Sequence, residues 1–143
     1  MKFVTYLNFE GNAEEAFKFY KSVFGGEFKA LIHFKDMPMQ GINLQKVDEN
    51  KLMHIALPLG AGDMLMASDV LKSRGHKVIK GNNVAISIFP DSKEEADRIY
   101  NALSADGKIE MPIADVPWGD YYGGFTDKFG VRWMVDYIYP KAK

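Results

Sequence analysis

Two stretches of this chain, eighty positions apart, are nearly the same: Phe9 to Tyr20 (FEGNAEEAFKFY) and Phe89 to Tyr100 (FPDSKEEADRIY), identical at five of twelve positions. The identities fall at a strand end, in the first turn of a helix and at an aromatic one turn further in. A repeat of this kind implies two copies of one strand–helix unit. Each copy leaves an apolar sheet face that must be covered.

The remaining sequence extends each copy. Lys2 to Phe9 is rich in aromatic and β-branched residues and reads as a strand. Asn12 with Glu15 has the spacing of a capping box that opens a helix, and Ser92 with Glu95 repeats it. Ala13, Ala16, Phe17, Tyr20, Val23 and Phe24 follow at helical spacing until Gly25-Gly26 stops the helix. Ala96, Ile99, Tyr100 and Leu103 form the matching stripe of the second helix. Glu27 to Phe34 alternates loosely, and 36–50 is a polar segment without a clear period. Leu52 to Leu59 and Met64 to Ser68 flank Gly60-Ala-Gly62-Asp63 as a hairpin. In the second half Asn83 to Phe89 reads as a strand, Lys108 to Val116 as a strand broken by proline, and Tyr122 to Thr126 with Arg132 to Tyr137 as a final hairpin. The order is βαβββ, twice, in an α+β chain: a first module over 1–69, a connector over 70–82 and a second module over 83–143.

Composition narrows the function. With 47% hydrophobic residues the chain can fill a core, and 18 Lys and Arg against 19 Asp and Glu give no like-charge run suited to a nucleic acid or an anionic membrane. The basic stretch Lys72, Arg74, His76, Lys77 and Lys80 reads as a solvated connector. There is no cysteine, so disulfides, thiolate nucleophiles and thiolate-bound zinc are excluded. No apolar run approaches the roughly 20 residues that span a bilayer. The expectation is a soluble, cytoplasmic protein.

Taken together, Gly11-Asn-Ala-Glu-Glu-Ala16, Phe19-Tyr20, Phe24-Gly-Gly26, His54-Ile-Ala56, Gly62-Asp63, Ser68-Asp69, Pro117-Trp-Gly-Asp120 and Phe125 to Met134 resemble the vicinal oxygen chelate superfamily. That superfamily holds glyoxalases, extradiol dioxygenases and bleomycin resistance proteins, and the chain is most similar to its PhnB-like branch, whose members often carry a demethylubiquinone methyltransferase-like label. The resemblance implies two βαβββ modules with strongly curved mixed sheets, helices outside, and a cup around a small-molecule site. Homodimers are common in it. Metal-dependent members draw ligands from the first and last strand of each module. Those positions here are Thr5 and Met66, then Asn83 or Ala85 and Met134, and none suits a hard divalent cation. The expectation is therefore no metal and no cofactor.

The residues themselves support the same view. His33, His54 and His76 show no paired-ligand spacing, the serines lack a nucleophile elbow, and Gly60-Ala-Gly62 lacks the third glycine and the strand-to-helix setting of a dinucleotide turn. His54 lies in an apolar strand, where a structural role competes with ligand binding or acid–base work. Trp118, Tyr121, Tyr122 and Trp133 gather near the last hairpin, as core or as pocket wall; Pro117, Gly119, Gly123 and Gly124 suggest irregular backbone beside a concavity. The leading expectation is a metal-free small-molecule-binding protein whose pocket is lined by Thr5, Leu7, His54, Met66, Trp118, Tyr121, Trp133 and Met134, taking an apolar or planar ligand. One alternative is a metal-dependent enzyme of the superfamily using His33, His54 and an acid such as Glu10 or Asp69. Another is a dimeric scaffold that binds a protein through 36–50.

Overall fold

A computed structural model describes residues 1–143 apart from Met39, Ile42, Ala142 and Lys143, so part of the 36–50 loop lies outside the described residues. The chain divides into two compact units, Met1–Ile79 and Lys80–Lys143.

The first unit contains β1 (Thr5–Phe9), α1 (Ala13–Phe24), β2 (Ala30–His33), β3 (Leu52–Gly60) and β4 (Asp63–Asp69). Its sheet has the order β1-β4-β3-β2, with β1 parallel to β4 and the other neighbours antiparallel. The apolar stripe Ala13, Ala16, Phe17, Tyr20 and Val23 is buried, as its spacing predicts. It meets Phe9, Ile55, Leu57, Leu65 and Ala67, all buried. Burial of each large member is worth roughly 1.5–3 kcal/mol. The helix stops where Gly25 and Gly26 take φ of 78° and 83°, a region that side-chain-bearing residues avoid.

The expected capping box at Asn12 does not form: Asn12 makes no side-chain cap hydrogen bond. The end of β4 supplies the cap. Asp69 Oδ1 accepts from the backbone N–H of Gly11 at 2.9 Å and Ala13 at 3.0 Å, while Oδ2 accepts from Leu52 at 2.8 Å. One buried carboxylate thus ties helix start, β3 start and β4 end together, and its charge suits the positive end of the helix.

The second unit contains β5 (Ile86–Ile88), α2 (Lys93–Ser104), β6 (Lys108–Asp115), β7 (Asp120–Thr126) and β8 (Arg132–Ile138). The order β5-β8-β7-β6 repeats that of the first sheet. Ser92 caps α2 as expected, accepting from Glu95 N at 3.1 Å. Glu95 does not reach back; it pairs with Arg98. Ala96, Ile99, Tyr100 and Leu103 are buried, with Tyr100 edge-on to Phe125 at 5.4 Å.

Gly123 and Gly124 lie in regular strand, paired with Val135 and Met134, rather than in irregular backbone. A Cβ on Gly123 would stand 2.8 Å from both Ile113 and Tyr100. That glycine lets helix and neighbouring strand approach closely. Pro112 is accommodated because β6 is an edge strand whose register slips on both sides of Met111.

On the second sheet, Glu110 accepts from Arg132 at 2.8 Å and from the Thr126 hydroxyl at 2.7 Å. The guanidinium, then the hydroxyl, hold its carboxyl down at about 2. A depressed carboxylate contributes stability that is complete above its ordinary value and lost as pH falls through the folded value. Glu110→Gln should therefore lower the melting temperature near neutral pH. The gap to wild type should close as pH drops from about 4.5 towards about 2. A gap that stays constant in thermal melts across that range would refute the ion pair's part in acid stability.

Candidate functional site

Side chains alternate across a strand, and register partners on neighbouring strands share a face. In the first sheet Phe9 packs edge-on against Phe17 of α1, which marks Thr5, Leu7, Phe9, Leu65, Ala67, Ile55 and Leu57 as the helix face. The opposite face, which α1 does not cover, holds Tyr6 paired with Met66, Met66 with Ala56, and Asn8 with Ser68, together with His54 beside Ile32. We call it the open face.

Tyr6 leans across this face onto His54. The rings stack at 5.9 Å with 22° between planes, and the Tyr6 hydroxyl stands 3.3 Å from His54 Nδ1. Asn8 Oδ1 accepts from the Ser68 hydroxyl at 3.5 Å. Tyr6 keeps 47% of its surface exposed. The first open face thus offers a planar aromatic–imidazole shelf, a thioether at Met66 and a small polar cluster.

In the second sheet, buried Trp133 and Val135 mark the helix face, and the open face carries Ser87 paired with Met134, Met134 with Gly124, and Tyr122 with Asp136. Tyr122 lies edge-on to Trp118 at 5.7 Å, and Trp118 is 62% exposed. Asp120 lies two residues from Tyr122 on the same face. Asp136 is driven above the ordinary carboxylate range by burial and then by its neighbour Asp120.

The eight expected lining residues therefore divide. His54 and Met66 reach the first open face, Met134 the second, and Trp118 the turn beside it. Thr5 and Leu7 do not: they share the face of Phe9, on the helix side. Trp133 is 1% exposed and donates its indole N–H to Asp127 Oδ2 at 2.8 Å, so it is core. Tyr121 turns to α2, where its hydroxyl donates to Asp97 at 2.5 Å and Lys93 lies over its ring. That bond to Asp97, with burial, pushes the phenol up to about 12, far from any base role at neutral pH. The residues missed on these faces are Tyr6, Asn8, Asp120 and Asp136, while Tyr122 belonged to the aromatic cluster noted near the last hairpin but not to the eight lining residues. Alternation counted from buried Phe9 would have found Tyr6.

The residues suggested for a shifted metal site do not converge. Asp69 serves three backbone N–H groups on the face opposite His54. Glu10 accepts from Val78 N and pairs with Lys72, and His33 lies between Glu14 and Asp36. Among the described residues no three His, Asp or Glu side chains are grouped to hold a metal ion. The register pairs Tyr6 with Met66 and Ser87 with Met134 offer phenol, hydroxyl and thioethers, a donor set that does not fit a hard divalent cation.

Elsewhere in the first unit, a cavity of about 200 Å³ is bounded by Asn43, Leu44, Gln45, Asp48, Leu71, Ser73 and Arg74. Its buried Asp48 is already bonded to Lys51 and Ser73. Another, of about 390 Å³, lies along Glu10, Lys72, Gly75, His76 and Lys77. There the basic connector is partly neutralised by the Lys72–Glu10 pair at 3.3 Å. No helix among the described residues is long and apolar enough to cross a membrane.

Residues 3–135 match the Glyoxalase/Bleomycin resistance protein/Dioxygenase superfamily. The chain belongs to this superfamily. It is 32% identical over 139 residues to Protein YjdN of Escherichia coli strain K12, spanning 93% of this chain and 92% of YjdN. The crystal structure of protein PA1353 from Pseudomonas aeruginosa superposes with a TM-score of 0.85 at 37% identity, covering 96% of this chain and 98% of that one. A PhnB protein from Bacillus cereus, described as a putative 3-demethylubiquinone-9 3-methyltransferase, gives 0.76 at 29% identity, with 96% and 99% covered. The PhnB-like resemblance and the α+β fold of tandem βαβββ modules are thus established. In this superfamily member Gly60-Ala61-Gly62 joins two antiparallel strands, not a strand and a helix, so it is not the phosphate-cradling turn of a dinucleotide fold.

Proposed function

We propose that this superfamily member is a small-molecule-binding protein whose open sheet faces receive an apolar or planar ligand without a metal ion. The carrying observation is the stack of Tyr6 on His54 beside Met66, half-exposed and on the face that α1 leaves uncovered. A flat ring can lie on such a shelf, and a thioether adapts to its outline. His54 adds a polar imidazole contact that orients the ligand.

A thermal-shift screen of planar metabolites and antibiotics tests this, with elemental analysis of protein purified without chelator. The expected result is no stoichiometric metal, and melting temperatures that rise with ligand concentration as binding to the native state requires. For the best ligand, Tyr6→Ala should weaken affinity about tenfold, near 1.4 kcal/mol, while Thr5→Val on the helix face leaves it unchanged. Stoichiometric metal, or equal responses from wild type and Tyr6→Ala, would overturn the reading.

A further inference from the structure

The open face of the second sheet combines two features. Trp118, 62% exposed, and half-buried Tyr122 form an edge-to-face pair. Beside them, Asp136 is the register partner of Tyr122, and Asp120, two residues before Tyr122 in β7, lies on the same face. Asp136 Oδ1 is buried and meets no hydrogen-bond partner. Among the described residues no ion pair reaches either aspartate. The cation on the same face of β8, Arg132, is taken by Glu110 at 2.8 Å.

A buried acceptor without a donor is costly, and two adjacent carboxylates repel each other unless a cation or a shared proton intervenes. Aromatic faces attract the same kind of partner, since a cation over a tryptophan or tyrosine ring is held by the ring quadrupole. Carboxylates and rings together select positive charge on an organic body. A hydrated inorganic ion would use the carboxylates and leave the rings idle.

We infer that Trp118, Tyr122, Asp120 and Asp136 form a binding site for an organic cation, a protonated or quaternary amine attached to a planar or apolar group. The inference rests on the small-molecule-binding reading and adds the charge of the ligand. A bound cation would supply the missing partner of Asp136 and relieve its repulsion with Asp120.

Calorimetric titration at low ionic strength tests it with three probes: benzyltrimethylammonium, benzyl alcohol and benzoate. The cation should saturate the full-length protein about tenfold more tightly than the alcohol, as roughly 1.4 kcal/mol of cation–π and charge attraction implies. Benzoate should not bind. Asp136→Asn and Asp120→Asn should each cut the cation-to-alcohol preference severalfold, and Trp118→Ala should weaken both probes. Circular dichroism melts establish that each variant folds, and the two aspartate variants serve as independent checks. Equal binding of cation and alcohol, or a preference unmoved by either Asn variant, overturns the charge assignment while leaving small-molecule binding intact. If no probe saturates while a screened ligand still depends on Tyr6, this site is refuted and the first-sheet reading stands.

Discussion

Replacing Asp69 by alanine should destabilise the protein by about 3–5 kcal/mol. The carboxylate is 5% exposed and accepts from Gly11, Ala13 and Leu52. Truncation leaves the buried N–H groups of Ala13 and Leu52 without that acceptor, at about 1–3 kcal/mol each. The bond to Ala13 is itself the cap of α1, so the cap is contained in that sum. Unfolding by urea, followed by far-ultraviolet circular dichroism, measures the sum. Asp69→Asn keeps one acceptor oxygen and should lose about half as much. A loss below about 1 kcal/mol for the alanine variant would mean that the hub carries no net stability.

The second large effect belongs to Asp127, in the turn between β7 and β8. It is 3% exposed. Its Oδ1 accepts from Phe129 N at 2.8 Å and Val131 N at 3.0 Å, and its Oδ2 from the Trp133 indole. Asp127→Ala should cost about 2–4 kcal/mol, because donors in a buried setting lose their acceptor and the turn loses its local template. The indole contact can be isolated. In a Trp133→Phe background the same substitution should cost less, with a coupling of about 0.5–3 kcal/mol between the two sites. Strict additivity would contradict the bond's contribution.

These two aspartates also separate what the sequence discloses from what it hides. Helix stripes were readable because their period is local, and so was the Ser92 cap, three residues from its donor. The cap of α1 was not readable, since Asp69 lies 56 residues from Ala13 in sequence. Local spacing instead pointed to Asn12. Face assignment failed for a related reason. The helices correspond at an offset of eighty, Ala16 to Ala96 and Tyr20 to Tyr100, but the strands do not.

Taking Met66 and Met134 as equivalent, their partners are Tyr6 and Ser87, an offset of eighty-one. A one-residue slip turns every side chain to the other face. Phe9 is accordingly 4% exposed, while Phe89, its counterpart in the repeat, is 59% exposed just beyond β5. Aromatic clustering likewise could not separate Trp133 in the core from Trp118 at the surface. Adjacent Tyr121 and Tyr122 face opposite ways because one bonds α2 and the other lies on the open face.

The central claim is that ligand binding belongs to the open faces and not to the helix faces, and methionine methyl resonances report it most directly. Met66 lies on the first open face and Met134 on the second, where Met111 is the other register partner of Gly124, whereas Met1 and Met37 are exposed and lie outside both sheets. In protein labelled at methionine methyls, titration with the best screened ligand should shift Met66, Met134 or both in a saturable way, with Met1 and Met37 unmoved. Saturable shifts confined to Met1 or Met37, with Met66 and Met134 unchanged, would contradict it.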